Sequence, residues 1–159
     1  MLTACFFSRY EPGSLRPATG ADEHHQFVTV GCLDVLLEAT TDAQVPPTHP
    51  VVRYALGNRC AHAVPVDFRR VRVEGLYASG RAAMDVVDPR GEIHPALLDG
   101  HARASEALEY RPATEHLHPP ASLCLVLSTL TPSELTDEAA TRCFVFTHDN
   151  TPAAQDNRT

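Results

Sequence analysis

Short apolar runs recur along the chain, each bounded by Pro, Gly or polar clusters. Val51-Val-Arg-Tyr-Ala-Leu56 places Val52, Tyr54 and Leu56 on one face and Arg53 on the other, the period of a half-buried strand. Gly57-Asn58 ends it with turn chemistry. Upstream, residues 26–37 are β-branched and apolar and predict one strand, and the prolines of QVPPTHP stop regular structure after it. Residues 81–87 predict another strand, which runs into Asp88-Pro89-Arg90-Gly91. Asp first, Pro second and Gly fourth suit a type I turn. Residues 106–111 set Leu108 and Tyr110 against Glu109, although HPALLDGHARASEAL also admits a partly helical reading. Ser122–Ser128 is a nearly continuous apolar run and predicts a central strand; Arg142–Phe146 predicts the last one.

One stretch breaks the alternation. In VPVDFRRVRVEG, Val64, Val66 and Phe68 occupy even positions, whereas Val71 and Val73 occupy odd ones. A period of two cannot keep both sets on one face. Either a β-bulge near Arg69-Arg70 restores the phase or the chain changes face or sheet there. Further on, TPSEL reads as a helix start: Thr131 as N-cap, Pro132 at the first position, Glu134 closing a capping box. This predicts a short helix through about Ala140.

About seven strands with turn signals between them and one short helix predict an all-β domain. The expected architecture is a single antiparallel immunoglobulin-like β-sandwich, with a flattened β-barrel as the alternative. The expected limits are a flexible linker over 1–25, the sandwich over 26–148 and a disordered tail over 149–159. The length, 159 residues, fits one domain able to bury a sizeable core. Thirteen prolines favour short pieces over long helices. A net charge of −7 argues against nucleic acid as a partner. All 13 basic residues are Arg, a bias that fits a GC-rich coding sequence. No stretch approaches the ~20 apolar residues of a helical membrane span.

Leu2-Thr3-Ala4-Cys5 resembles a bacterial lipobox, an apolar residue and two small ones before the Cys that is lipidated. Only Met1 precedes it, so the basic and apolar regions of a signal peptide are missing ahead of the motif. The Pro- and Gly-rich stretch that follows suits a tether. With Cys5 set aside as the lipidation site, Cys32, Cys60, Cys124 and Cys143 remain, which permit three pairings. Cys32–Cys60 and Cys124–Cys143 are favoured, because each pair lies in consecutive predicted elements. No C-x-x-C is present to suggest zinc.

Nine histidines raise the question of a metal. In Glu115-His116-Leu117-His118, alternate imidazoles of an extended chain point the same way. His116 and His118 are therefore the candidate ligands, with His94 or His101 as a distant third; exposed loop histidines are the plainer reading. Cys143 and His148 lack the following Met of a cupredoxin copper site. No G-x-S-x-G, H-E-x-x-H, P-loop or G-x-G-x-x-G occurs, so neither a catalytic residue nor a nucleotide, cofactor or metal is assigned.

VGCLDV, GNRC, VPVDFRRVRV, VVDPRGEI and EALEYRP, together with the lipobox, resemble segments of uncharacterised exported lipoproteins of high-GC Gram-negative bacteria. The resemblance covers roughly residues 5–130. It implies an envelope-anchored β-sandwich held to the membrane by a lipid on Cys5, and Phe6 after that Cys implies the outer membrane. The expected function is non-enzymatic binding of another protein or a glycan at the membrane surface. A periplasmic metal-binding protein using His116 and His118 is the alternative. Without lipidation of Cys5, the expected location is the cytoplasm.

Overall fold

A computed structural model describes residues 9–17, 24–41 and 49–146. The lipobox, Cys5, Phe6, His148 and the tail lie outside these residues. Among the described residues, ten strands and a single 3-10 turn, η1 (Phe68–Arg70), make up the regular structure. Four strands pair on one side: β1 (His25–Val30), β2 (Leu33–Thr40), β3 (Val51–Asn58), then β8 (Arg103–Pro112) through Arg103–Glu109. The last residues of β8, Tyr110–Pro112, pair instead with β6 (Gly80–Val86). From there the ladder continues through β5 (Arg72–Tyr77) and β9 (Ser122–Val126) to β10 (Thr141–Val145). β8 thus carries one continuous eight-stranded antiparallel ladder from one layer to the other. The small pair of β4 (Val64–Val66) and β7 (Ala96–Leu98) lies beside it.

The result is an all-β sandwich close to a flattened barrel. Its free edges meet where the Arg142 guanidinium Nε donates to the Phe27 carbonyl at 3.0 Å. An inward-leaning charge on an edge strand closes the seam and blocks further strand addition. Between the layers, Val30, Leu33, Val35, Leu37 and Leu56 face Leu123, Leu125 and Phe144, all buried. The Tyr54 and Tyr110 hydroxyls pair at 2.6 Å inside this core, and the Phe68 ring meets Tyr54 edge-on, centroids 4.9 Å apart. Burial holds both phenols above the ordinary tyrosine range, Tyr110 up to about 12.

Two expectations change, and one open alternative is resolved. Residues 26–37 form a hairpin, not one strand. Val30 pairs with Leu33, and Gly31, at φ 55°, takes the first central position of the two-residue turn. Only Gly accepts that conformation without cost, and Gly-Cys is a quieter signal than Asn-Gly. The phase slip in VPVDFRRVRVEG is a change of sheet. β4 ends, Asp67 caps η1 by accepting from the Arg69 amide, and β5 enters the large ladder. The helix starting at Thr131 does not form. The Thr131 hydroxyl donates to the Pro65 carbonyl at 2.7 Å instead of capping, and Leu130 and Thr131 are buried against β4. A single turn survives further on, where the Ala140 amide donates to the Thr136 carbonyl. Tertiary packing outweighs a propensity of a few tenths of a kcal/mol per residue. HPALLDGHARASEAL carries β7 and the start of β8, with no helix.

Asp88–Gly91 forms the expected turn: the Gly91 amide donates to the Asp88 carbonyl, and the Asp88 side chain accepts from Glu92 and Ile93. The segment read as a tether behaves differently over its described part. Tyr10 and Leu15 are buried, and Arg9 forms an isolated bridge with Ala102. No helix among the described residues is long and apolar enough to cross a membrane.

Candidate binding face and its surroundings

The two disulfides sit in unlike places. Cys32 and Cys60 are joined with Cα atoms 5.5 Å apart, and Cys124 and Cys143 with Cα atoms 4.1 Å apart. Cys32 lies in the β1–β2 turn and Cys60 just past β3. Between them sits Asn58, fully buried. Its side-chain amide donates to the carbonyls of His62, Leu98 and Asp99 at 2.9–3.1 Å, and its carbonyl oxygen accepts from the Cys60 amide at 2.9 Å. A buried amide with this many partners fixes the surrounding loops, because each group would otherwise be stranded away from water.

The N-terminal strap crosses the same end. The Tyr10 ring packs over Gly57, where a Cβ would clash with the ring carbons. Its hydroxyl donates to the buried Asp34 carboxylate, which also accepts from the Thr29 hydroxyl at 2.8 Å. The Arg59 guanidinium stands 3.9 Å from the same carboxylate. Burial first, then the neighbouring carboxylate, push the Tyr10 phenol up to about 12.

Cys124 and Cys143 face each other on the outward side of β9 and β10. The strict alternation of β5, buried at Val73, Gly75 and Tyr77 and exposed at Arg72, Glu74 and Leu76, defines that face. Strand register arranges it in rows. Arg81, Leu76, Ser122 and Val145 form one, and Ala83, Glu74, Cys124 and Cys143 the next. Leu76 and Val145 keep 42% and 68% of their surface exposed and flank the small Ser122. The face is a shallow concavity of about 710 Å³. Two ion pairs lie on it, Arg81 with Glu74 and Arg72 with Asp137. The Ser128 hydroxyl and then the Arg72 guanidinium hold the Asp137 carboxyl below its usual range.

A second concavity of about 470 Å³ lies among Pro65, Asp67, Arg70, Thr129 and Pro132. Its polar groups already bond one another. Thr129 donates to the Arg70 carbonyl, Thr131 to Pro65 and Ser133 to Ser128, while Asp67 is paired with Arg69 and Arg70. Little hydrogen-bonding capacity remains there for a ligand, so it reads as a seam between β4 and the β9–β10 loop.

His116 stacks on the Tyr77 ring, centroids 3.8 Å apart. Among the described residues, the grouping that brings three potential metal donors together is Cys32, Cys60 and His62; His94, His101, His116 and His118 are not part of it. His49 was passed over in the sequence. Its ring nitrogens stand 2.7 Å from Glu109 and 3.3 Å from Glu115, a polar cluster that ties the loop after β8 to the start of β3. Asn58 was read only as a turn residue, and His62 drew no notice because the zinc pattern sought was C-x-x-C rather than C-x-H. Comparison with protein-family models, curated proteins and solved structures returns no match.

Proposed function

We propose that this chain is an exported, membrane-anchored lipoprotein whose domain binds another protein through the outward face of β5, β6, β9 and β10. The observation that carries the reading is the pair Leu76 and Val145, two exposed apolar side chains in one row of the outward face. Two apolar anchors two strand spacings apart, about 10 Å, with ion-paired Arg and acidic side chains near them, suit a protein surface. A glycan is disfavoured. Sugar rings are held by exposed aromatic faces, and the described aromatic residues are buried or half-buried, none of them on this face.

Two disulfides fit a compartment outside the reducing cytosol. A lipid on Cys5 then supplies attachment, about 0.8 kcal/mol per buried methylene. Because the strap is latched at Tyr10, five residue steps lead from Cys5 to the fold, a reach of at most about 18 Å. The domain is held close to the membrane rather than on a long tether, with the Tyr10–Asp34 end nearest to it.

Photo-crosslinking residues placed singly at Leu76, Val145 and, on the opposite outer face, Ala107 test the reading in the native envelope. The same discrete protein adduct is expected from Leu76 and Val145 and none from Ala107. Equal adducts at all three positions, or none at Leu76 and Val145, overturn it.

A further inference from the structure

We infer that Cys32, Cys60 and His62 form a redox-gated site for a zinc-class metal ion, closed while the disulfide stands and opened by its reduction. The two sulfurs and a ring nitrogen of His62 already lie within 4.8 Å of one another. Cys32 Sγ and His62 Nε2 are 3.9 Å apart. Two thiolates and an imidazole on one tetrahedral zinc ion stand about 3.5–3.8 Å from each other, given Zn–S near 2.3 Å and Zn–N near 2.0–2.1 Å. His62 is therefore close to its ligating position, and the sulfurs reach theirs by separating once the S–S bond is gone. Three protein donors leave a fourth position for water or a further ligand.

What makes this more than proximity is that the site does not depend on the disulfide for its shape. The Arg59 amide donates to the Cys32 carbonyl at 2.8 Å, and the His101 amide to the Cys60 carbonyl at 3.0 Å. Asn58 holds the Cys60 amide and the His62 carbonyl from within the fold. Both cysteines and the histidine are thus pinned through their backbones, and cutting the bridge leaves them in place. Cys124 and Cys143, by contrast, have no histidine grouped with them among the described residues.

The chemistry balances with a dithiol as reductant. The dithiol passes two electrons and two protons to the S–S bond and leaves as its own cyclic disulfide, giving two thiols. A divalent ion then displaces both thiol protons and takes the neutral His62 nitrogen as its third donor. Exchange with a disulfide, which takes the two electrons and leaves as its dithiol, re-forms the Cys32–Cys60 bond and releases the ion. The inference concerns the reduced protein and needs neither the lipid nor the partner.

Cobalt(II), a spectroscopic substitute for zinc, tests it on the full chain. A phosphine reduces the protein, itself becoming the phosphine oxide with oxygen from water. One equivalent of cobalt with thiolate charge-transfer bands and tetrahedral d–d absorption is expected for the reduced chain and none for the oxidised one. His62→Ala, at an exposed position, is expected to weaken binding about tenfold or more, and Cys60→Ser to abolish the bands. Cys124→Ala/Cys143→Ala is expected to keep both. Binding by His62→Ala equal to that of the unaltered chain, or bands that persist in Cys60→Ser, overturn the site. So does a reduced chain that loses its β-sheet circular dichroism and does not regain it with zinc. Loss of the metal site leaves the crosslinking result unaffected, so the two proposals fail separately.

Discussion

The end of the sandwich that carries Cys32–Cys60 and the face that carries Cys124–Cys143 are stapled alike and built differently. The loops closed are similar, with sequence separations of 28 and 19, so the chain-entropy model assigns each bridge about 3–4 kcal/mol. The difference lies in what remains when a bridge is cut. At the first end the Tyr10 strap, the Asp34 carboxylate and the Asn58 amide bind the same loops independently. At the second, β10 has the β9 ladder, the buried Phe144 and the Arg142 bond to Phe27. One region is tied by side chains from separate segments; the other hangs on one ladder and turns Cys143 and Val145 to solvent. Redundancy at one end lets a bond there become reversible, and openness on the other face leaves room for a partner.

The comparison breaks most sharply at Tyr10. Tyr10→Ala removes a buried ring from Gly57 and takes one hydrogen-bond donor from the buried Asp34, and is expected to cost about 4 kcal/mol in urea unfolding. A cost below about 1 kcal/mol would mean that the strap does not secure that end. Next comes Cys124→Ala/Cys143→Ala. A loss of about 3 kcal/mol is expected, with faster amide exchange confined to β10, whereas Cys32→Ala/Cys60→Ala leaves exchange at Arg59 and His101 slow. Uniform acceleration in both variants would erase the contrast.

Alkali probes the core that both regions share. All four tyrosines have folded pKa values raised above 10.0, by burial first in each case. The folded state holds these protons more tightly than the unfolded one. Their contribution is fully present below pH 10 and falls as the pH rises from there towards about 12. A denaturant midpoint constant from pH 9 to 11.5 would contradict that. The smallest effect belongs to Asp137→Asn on the open face, a shift of the urea midpoint smaller than that of any variant above, since the Arg72 pair is exposed. Because the Asp137 carboxyl is held low, its contribution is present above pH 3.8 and is lost as the pH falls below it.

Strands were readable where alternation is clean, as in Val51–Leu56 and residues 81–87, because burial of one face writes the period directly into the residues. The β1–β2 turn was hidden because Gly31-Cys32 interrupts an apolar run by only two residues. At Thr131 the local cap signal was sound and the Pro65 carbonyl took the hydroxyl, a contact 66 residues away that no window contains. Tyr10 looked like part of a tether because its partners, Asp34 and Gly57, lie far along the chain. The same distance hid His62: one residue separates it from Cys60, but Cys32 is 30 positions from it. The outward face was legible only after register placed Leu76 and Val145 in one row.

The account stands on a chain that lives outside the reducing cytosol with both bridges closed. Its most direct test is the intact mass of the protein taken from its own host under thiol-blocking conditions. The account predicts a mass four hydrogens below that of the reduced chain, no blocked thiol, and added acyl mass on Cys5. Five blocked thiols and an unmodified Cys5 would contradict it.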